Sequence, residues 1–529
     1  MTPDIPAQVD VLVVGAGPTG LMLANQLMRR GVRPLIIDRH AGPARETRAL
    51  GVQARTLEIY ARLGVVDRAL EWGKQGNGAN MWADGKRMAR IPLGDAGRDL
   101  TPYPYILVLG QDDNERILGE RLNQQGLAVQ WNCELAGFEQ AGDHVVATLT
   151  APDGATRQLR AAWVAGCDGA RSVVREHSGI GFPGAPYEHV FFVADVQMTG
   201  TMVQEELNVY LWQQGFHLLF PMRGDRHWRI VGILPPALRH EGVQFDDLLP
   251  SIREAVGDAM DIQDCSWFST YRIHHRAAER FRERRCFLLG DAAHIHSPVG
   301  AQGMNTGLQD AYNLAWKLAL VVQGRADAAL LDSYQAERLP VAQRLLATTD
   351  RAFKFIVSDS AVAGLLRTRV LARLAALAMS RPGIQAAAFR TVSQLAIEYR
   401  DSALSVMPRP WPGDAPHAGD RFPWLHLRME GGRPVVDLFD QLDDTRFTLL
   451  LFGAGDAPID ALPGFGELLQ VHRVPSDADN DAELARHDIA QPSFFLLRPD
   501  GYIGLCGHRF DADRLARYVA DVLRLEDAA

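Results

Sequence analysis

Three short motifs along this chain carry residue types suited to holding a phosphorylated ligand. The first is a glycine turn, Gly15-Ala16-Gly17-Pro18-Thr19-Gly20. Gly15 permits a tight turn, Gly17 lets a pyrophosphate approach the backbone, and Gly20 lets a helix pack close to a strand. The helix that opens at Pro18 and Thr19 would present free N–H groups to phosphates. This motif therefore predicts a dinucleotide site.

The elements around the glycine turn match that prediction. The apolar run 10–14 precedes it and reads as a buried strand, and apolar residues then recur at helical spacing up to Gly31. A second apolar run, 35–37, ends in Asp38, which is expected to accept a hydrogen bond from a ribose hydroxyl. A strand, a glycine turn, a helix, a second strand and an acidic residue thus follow one another within about 30 residues. This context makes the glycine motif specific for a dinucleotide site.

The other two motifs each end a short predicted strand. Asp168-Gly169 is followed by Ser172 and Arg175; an Asp-Gly pair alone is more often a simple turn. Gly290-Asp291 leads into a glycine-rich loop and then a helix from Met304, whose positive N-terminus suits an anionic ring edge such as reduced flavin. Together the three motifs predict a flavin adenine dinucleotide (FAD) site in an α/β, Rossmann-like domain.

Size and composition exclude several classes of protein. The 529 residues predict two to four domains, and a net charge of −9 without basic blocks argues against nucleic acid as a partner. The sequence contains no apolar run of membrane-spanning length, and residues 1–9 do not resemble a signal peptide. Five scattered cysteines indicate a reducing, cytoplasmic setting. The pair His294 and His296 suggests metal ligands, but without a third ligand at a credible spacing we favour a structural role and predict no metal.

The order of these motifs resembles the FAD-dependent aromatic hydroxylases, the single-component flavoprotein monooxygenases related to para-hydroxybenzoate and phenol hydroxylases. The resemblance runs from about Val9 to Val341 and includes the following further residues: Pro298, Gly300, Gly303, Met304, Asn305, Asp310, Asn313, Lys317, Leu318, Ser333, Tyr334, Glu337, Arg338 and Pro340. So long an ordered set is specific for the family and says little about the substrate.

The resemblance implies roles for individual residues at the cofactor. Arg48 and Gln111 are expected on the flavin side, and Arg39 near the adenosine. Asp291 is expected to bond the ribityl chain, and Asp168-Gly169 to serve both FAD and the nicotinamide donor. The remaining residues assigned to cofactor binding are Leu135, Gly290, Pro298, Gly300, Gly303, Met304 and Asn305.

The resemblance also implies an enzymatic cycle. NADPH or NADH reduces non-covalently bound FAD, O2 adds at the flavin C4a atom, and the hydroperoxide transfers one oxygen to an aromatic, phenolic substrate. Two alternatives stay open: a Baeyer–Villiger or epoxidising monooxygenase acting on a polycyclic, polyketide-like metabolite, and a non-catalytic flavin-binding protein. The intact glycine-rich loop before Met304 argues against the second.

The substrate side is less specific in sequence. Residues 181–275 predict antiparallel strands, on which Trp212, Phe216, His217 and Leu219, together with Pro298, are candidates to line a pocket. The segment Trp267-Phe268-Ser269-Thr270-Tyr271 matches a phenol-hydroxylase strand and makes Tyr271 the catalytic candidate, although a packed strand tyrosine is equally compatible. Leu50 stands where phenol hydroxylases have an acidic residue.

The resulting prediction is an FAD-binding domain with an inserted sheet domain and an appended tail. The expected boundaries are 1–180 for the first part of the FAD domain (with a piece near 75–108 joining the substrate domain), 181–275 for the substrate sheet, 276–345 for the second part, 346–400 for a helical connector and 401–529 for a tail. The tail resembles a thioredoxin-like domain but has only Cys506, so a structural or homodimer-forming role is expected.

Overall fold

The computed structural model describes ten stretches of the chain: residues 5–44, 49–83, 85–212, 215–240, 242–257, 260–296, 301–356, 381–431, 434–453 and 465–526. Within these stretches, no helix combines the length and the apolar character needed to cross a membrane. Three residues of the predicted site, Arg48, Pro298 and Gly300, lie outside the described residues.

Strands form five sheets. In chain order they are β1 Gln8–Val14, β2 Leu35–Asp38, β3 Gly51–Val52, β4 Lys74–Gly76, β5 Gly78–Ala83, β6 Lys86–Pro92, β7 Ile106–Val108, β8 Gln130–Trp131, β9 Glu134–Ala141, β10 His144–Thr150, β11 Thr156–Gly166, β12 Gly184–Thr199, β13 Leu207–Trp212, β14 Gly215–Pro221, β15 His227–Ile233, β16 Asp261–Ala277, β17 Arg282–Glu283, β18 Cys286–Leu288, β19 His294–Ile295, β20 His426–Arg428, β21 Val435–Asp437, β22 Phe447–Phe452, β23 Leu469–Val474, β24 Ser493–Leu497 and β25 Ile503–Gly507.

The helices lie mainly in the FAD-binding part and the tail. They are α1 Pro18–Arg29, α2 Ala54–Leu63, α3 Val66–Trp72, α4 Leu93–Gly97, α5 Gln111–Gln124, α6 Val173–His177, α7 Phe245–Val256, α8 Gly303–Val322, α9 Asp332–Ile356, α10 Pro382–Val392, α11 Ala478–Arg486 and α12 Ala512–Arg517.

The first sheet carries the glycine turn at the end of its central strand. Its order is β17-β18-β11-β1-β2-β8, and β1 is parallel to both β11 and β2. The apolar run predicted as a buried strand is β1, whose residues Val11 to Val14 are almost fully buried. Since β1, β2, β11 and β18 are parallel neighbours, all three motifs follow strand ends at one edge of this sheet.

The second sheet forms the predicted substrate region. Its order is β19-β16-β12-β15-β14-β13-β5-β6, and the strands predicted over residues 181–275 correspond to β12 to β16. β5 and β6 come from the segment near 75–108 and join this sheet through β13. Helix α7 covers one of its faces through a cluster of buried apolar side chains.

The tail has the strand order β23-β22-β24-β25. β22 runs parallel to β23 and antiparallel to β24, and β24 runs antiparallel to β25, which is the pairing of a thioredoxin-like sheet. The whole is an α/β protein with a Rossmann-like FAD-binding domain, an inserted sheet, a helical connector and this thioredoxin-like domain. The inserted sheet was expected to be antiparallel and is so except where β13 pairs with β5 in parallel. Cys506 is buried in the tail and is a free thiol.

Buried charges join the tail to the FAD domain. Arg498 of the tail donates to both carboxylate oxygens of Glu337 at 2.6 and 2.9 Å, and Lys317 of α8 donates to the same carboxylate at 2.7 Å. Arg498 also pairs with Asp500, whose carboxylate accepts from the Trp316 indole. These charges are almost fully buried, and each has a partner of opposite sign, so the two domains share one electrostatic core.

Candidate active site

The first glycine turn has the shape that a dinucleotide needs. A Cβ on Gly15 would lie 2.3 Å from the carbonyl oxygen of Cys167, and its φ is +101°. A Cβ on Gly20 would lie 1.9 Å from the carbonyl oxygen of Gly15, so helix and strand could not pack as they do. Gly17, in contrast, has open space where its Cβ would be. The backbone at Gly17 is thus accessible to a phosphate at the start of α1.

Asp38 lies at the end of β2, as the motif requires. Its Oδ2 accepts from the backbone N–H of Ala16 at 2.8 Å, which ties the acid to the glycine turn. Its Oδ1 accepts from the backbone N–H of His40 and contacts the His40 ring nitrogen Nδ1, both at 2.8 Å. Arg39 next to it is exposed. A ribose hydroxyl at this carboxylate would share Oδ1 with His40.

The Asp168-Gly169 loop is held by its own helix and by the third motif. Asp168 accepts from the hydroxyl of Ser172 at 2.6 Å and from the backbone N–H of Val174. Burial raises the pKa of Asp168 above its ordinary value, and these hydrogen bonds oppose that shift. Arg175 donates to the carbonyl oxygens of Ala170 and Ala292, each at 2.9 Å. The second and third motifs, far apart in sequence, are therefore fastened together.

The Gly290-Asp291 loop packs on the helix that follows the glycine turn. A Cβ on Gly290 would lie 2.7 Å from Thr19 Oγ1, and a Cβ on Gly307 of α8 would lie 2.4 Å from the same atom. Thr19 therefore fixes the spacing between α1 and α8. Asp291 is exposed beside this contact.

The N-terminus of α8 is positioned by one amide side chain. Asn305 donates to the carbonyl oxygens of Gly51 and Ala301 at 2.8 and 2.7 Å, and it accepts from the backbone N–H of Gln53 at 2.9 Å. Gly303 at the first position of α8 has open space around it, and Met304 is half-buried. The helix end is thus both fixed and accessible, as an anionic ring edge would require.

Two further predicted cofactor residues lie away from these loops. Gln111 begins α5, and its amide donates to Glu115, which also accepts from the backbone N–H of Ala44. Leu135 is buried in the core on β9, so its side chain packs against apolar neighbours. The cofactor roles of both residues stay predictions.

The second sheet presents two different faces, and the substrate candidates divide between them. Trp212, His217 and Leu219 lie on the face that packs against α7 and are almost fully buried there. The His217 ring stacks on Trp212 at 5.4 Å between centroids, and burial lowers the His217 pKa to about 4. The predicted set is therefore not brought together, because alternate strand residues point to opposite faces.

Phe216 lies on the other face. Residues of that face, Leu207 and Phe220, pack with Leu50 and Ala54 of the FAD domain, so this face is turned towards the cofactor motifs. Phe216 belongs to a cluster of aromatic rings that we call the aromatic wall, made of Tyr187, Phe191, Phe216 and Tyr271. The ring centroids of Phe191 lie 6.4 Å from Phe216 and 6.0 Å from Tyr271.

Tyr271 is half-buried on β16, opposite Phe191 on β12. The structure thus places the candidate catalytic tyrosine on the face turned towards the cofactor motifs, among rings that exclude water. Leu50 stands at the position where phenol hydroxylases have an acidic residue. Its side chain is buried among apolar side chains. No carboxylate is supplied from that position.

The structure also reveals a chain of buried polar groups that the motifs did not predict. Arg338 donates to Asp310 Oδ1 at 2.7 Å, His294 Nε2 meets Asp310 Oδ2 at 2.6 Å, and His296 Nε2 meets His294 Nδ1 at 2.9 Å. Asp310 also accepts from the backbone N–H of Gly290 at 3.1 Å. The sequence signal was present in the His-x-His spacing, which suggested a metal; among the described residues no cluster of ligands could hold one.

The glycine turn, the acidic strand end and the two loops joined by Arg175 define a dinucleotide-binding fold, and the second sheet packs against it. Sequence-family models agree: the FAD binding domain matches residues 8–349, and the C-terminal domain of aromatic-ring hydroxylases matches residues 415–524. The chain belongs to the family of FAD-dependent aromatic-ring monooxygenases.

Individual relatives cover nearly the whole chain. It is 35% identical to 6-methylpretetramide 4-monooxygenase of Streptomyces rimosus, over 98% of this chain and 94% of that protein. It is 31% identical to pentachlorophenol 4-monooxygenase of Sphingobium chlorophenolicum, over 94% and 93%. The solved ternary complex of aklavinone-11 hydroxylase with FAD and aklavinone superimposes with a TM-score of 0.79 at 27% identity, covering 98% and 100%.

The protein is therefore an FAD-dependent monooxygenase. As such it consumes O2 and draws electrons from a nicotinamide. The residues present fit the cofactor, since the backbone at Gly17 is open to a phosphate and Asp291 is exposed at the third motif.

Proposed function

We propose that this enzyme hydroxylates a phenolic ring of an extended, multi-ring aromatic substrate, with NADPH or NADH as the electron donor. The names of relatives that cover nearly the whole chain carry the proposal, among them 6-methylpretetramide 4-monooxygenase. The aromatic wall lies on the sheet face that is turned towards the cofactor motifs. Phe191 and Phe216 are almost fully buried in it, whereas Tyr271 is half-buried, so Tyr271 is the ring of the wall most open to a ligand.

Relatives are named for compounds as different as pentachlorophenol and anhydrotetracycline. We favour the larger kind, because 6-methylpretetramide, anhydrotetracycline and aklavinone, for which relatives over nearly the whole chain are named, are multi-ring compounds. Orientation matters here, because oxygen transfer requires one ring carbon to be held close to the reactive flavin atom.

Bound FAD supplies the redox chemistry, and this chain's residues orient the substrate and keep water out. We assign Tyr271 to a hydrogen bond with the substrate's phenolic oxygen. A phenol is a better nucleophile when its O–H bond is weakened, so a hydrogen-bonding partner at that oxygen assists the reaction. The cofactor roles of Asp38, Asp168, Gln111, Asp291 and Asn305 are part of the same proposal.

The test is a comparison of phenols by size. Purified enzyme with FAD is given NADPH or NADH and either single-ring phenols or anthraquinone- and tetracene-type phenols. We expect the multi-ring phenols to stimulate NAD(P)H oxidation and to gain one oxygen as a ring hydroxyl, identified by mass and NMR. Stimulation by single-ring phenols alone would refute the substrate class. A ring-expanded or epoxide product would instead support the Baeyer–Villiger or epoxidising alternative.

A further inference from the structure

The buried chain Arg338–Asp310–His294–His296 ends in a ring nitrogen that has no partner. Asp310 and Arg338 are fully buried, His294 is 1% exposed and His296 is 9% exposed. Among the described residues, His296 Nδ1 has no hydrogen-bond partner, although its other nitrogen contacts His294 at 2.9 Å. A buried polar atom without a partner costs free energy, so such an atom in a binding region is a candidate contact for a ligand.

Charge balance fixes where the protons lie along this chain. Arg338 and the Gly290 N–H hold Asp310 ionised, and the pKa of Asp310 lies below its ordinary value because these partners and His294 outweigh the effect of burial. Arg338 and Asp310 cancel each other, so a further buried positive charge would be uncompensated and both imidazoles are neutral.

The hydrogen-bond directions follow from this assignment. Since ionised Asp310 can only accept, His294 Nε2 carries a hydrogen and donates it. His294 Nδ1 is then an acceptor and receives a hydrogen bond from His296 Nε2–H. The remaining nitrogen, His296 Nδ1, therefore presents a lone pair. Burial lowers the pKa of His296 well below its ordinary value, in agreement with a neutral ring.

The free lone pair lies where the cofactor and substrate regions meet. His296 follows β19, which pairs with the end of β16, the strand that carries Tyr271. The same stretch of chain begins with Gly290 and Asp291, whose loop is anchored by Asp310. A ligand hydroxyl that enters from either region would meet an acceptor whose orientation is fixed by the chain behind it.

We propose that His296 Nδ1 accepts a hydrogen bond from a hydroxyl of the bound ligand, with His294 and Asp310 as the positioning residues that orient its ring. The hydroxyl comes from one of two sources, the ribityl chain of the cofactor or the phenol of the substrate; the second rests on the proposed function. For a phenol, the proton moves from oxygen to Nδ1 when the O–H bond breaks, and Asp310 stabilises the resulting charge through His294.

Two substitutions test the Nδ1 acceptor and the Nε2 donor of the His296 ring separately. His296→Gln places an amide N–H near the Nε2 position, which keeps the donor to His294 but removes the Nδ1 acceptor. His296→Asn places a carbonyl oxygen near Nδ1, which keeps the acceptor but removes the donor. Thermal unfolding of both variants with FAD bound controls for loss of the fold.

The measurements use ligand spectra, not turnover alone. FAD affinity is measured by flavin fluorescence without substrate. Ionisation of bound 1,2-dihydroxyanthraquinone, a phenol whose visible absorption shifts when it loses a proton, is measured by pH titration. In His296→Gln we expect either a rise of about three- to tenfold in the FAD Kd, which assigns the cofactor, or a shift of the bound phenol's ionisation by about 0.5–1 pH unit to lower pH, which assigns the substrate, because the lost acceptor stabilised the un-ionised phenol. His296→Asn should retain most of whichever property His296→Gln changes, either the FAD affinity or the ionisation of the bound phenol.

Unchanged FAD affinity together with unchanged phenol ionisation in a folded His296→Gln variant overturns the proposal. If the anthraquinone fails to bind the wild-type enzyme, the proposed substrate class fails, and the FAD measurement alone then decides on His296. An unchanged FAD Kd in that case also overturns the inference.

Discussion

Arg175 of the second motif donates a 2.9 Å hydrogen bond to the carbonyl oxygen of Ala292 in the third. The two residues are 117 positions apart in the chain, and the Arg175 side chain is almost fully buried. The guanidinium carbon also lies 3.9 Å from the centroid of the Phe182 ring. One side chain thus fixes the separation of the two loops.

The first prediction concerns that bond. Arg175→Lys keeps the charge but cannot bridge Ala170 and Ala292, because an ammonium group lacks the fork of donors. We expect the FAD Kd to rise about ten- to hundredfold, which corresponds to about 1.5–3 kcal/mol for a hydrogen bond from a charged group. Flavin fluorescence titration measures this. Arg280→Lys, on an exposed arginine, is the control, and an Arg175→Lys affinity equal to that control would contradict the prediction.

Removal of the Asp291 carboxylate should also weaken the hold on FAD. Asp291→Asn keeps the shape but loses the charge-assisted bond to a ribityl hydroxyl, an effect of about 1.5–3 kcal/mol. Equilibrium dialysis at low free FAD measures flavin retention. Asp332→Asn, a highly exposed residue at the start of α9, is the control. Full occupancy of the Asp291→Asn variant would show that the carboxylate does not bind the cofactor.

Tyr271→Phe removes one hydroxyl and leaves the ring in the aromatic wall. Flavin reduction without substrate should be unchanged, whereas hydroxylation should fall by roughly 10²-fold if the hydroxyl assists phenol activation. NAD(P)H oxidation would then yield hydrogen peroxide, and product formed per NAD(P)H consumed measures the loss. Tyr210→Phe makes the same change on the α7 face of the sheet and should leave this ratio as in wild type. Equal ratios in both variants would mean that Tyr271 is a packing residue.

Arg498→Met should destabilise the whole protein and not only the tail. The substitution leaves Asp500 without its cation and Glu337 with Lys317 alone, in a fully buried setting. We expect a loss of about 3–5 kcal/mol, measured by urea unfolding with FAD bound. Arg509→Met, on an exposed arginine of the same domain, should cost little. A two-step transition in which only the tail unfolds early would contradict a shared core.

The same cluster predicts how stability depends on pH. Burial alone would raise the pKa of Glu337, but Arg498 and Lys317 outweigh it and hold the pKa well below its ordinary value. The stabilisation from Glu337 is thus complete above the unfolded-state value of about 4.3 and is lost as the pH falls below it. Glu337→Gln should be less stable at neutral pH and should show a flatter decline below pH 4, by up to about 1.4 kcal/mol per pH unit. Glu71→Gln, on an exposed glutamate, is the control, and a decline as steep as wild type would contradict the assignment.

Local rules predicted the conformation of the glycine turn. The steric contacts of Gly15 and Gly20, and the open space at Gly17, arise within a few residues or across adjacent strands, so spacing alone indicates them. The roles of these residues in cofactor binding stay predictions. The order of motifs also led to the correct family and fold class. Asp38 lies at the predicted strand end, but its contact with His40 could not be read from spacing.

Long-range relationships were not accessible from the sequence. Alternation along β13 and β14 separates Trp212 from Leu211 and Phe216 from His217, but it does not tell which set faces the FAD domain, since that depends on where α7 packs. The partners of Glu337 include Arg498 in another domain, which no local pattern indicates. The His294–Asp310 contact likewise joins a loop to the middle of α8.

The two faces of the second sheet also matter for how such an enzyme evolves. On β13 and β14, residues 207, 209, 211, 216, 218 and 220 share the face turned towards the cofactor motifs, and their sequence neighbours fill the core under α7. Within this set, residues 209, 218 and 220 are only partly buried, so a library that varies these three can alter ligand choice while their buried neighbours preserve the scaffold. Neighbouring positions along β13 and β14 are therefore under different constraints. The positions on the face turned towards the cofactor motifs can change with the substrate, whereas the positions packed under α7 are constrained by folding.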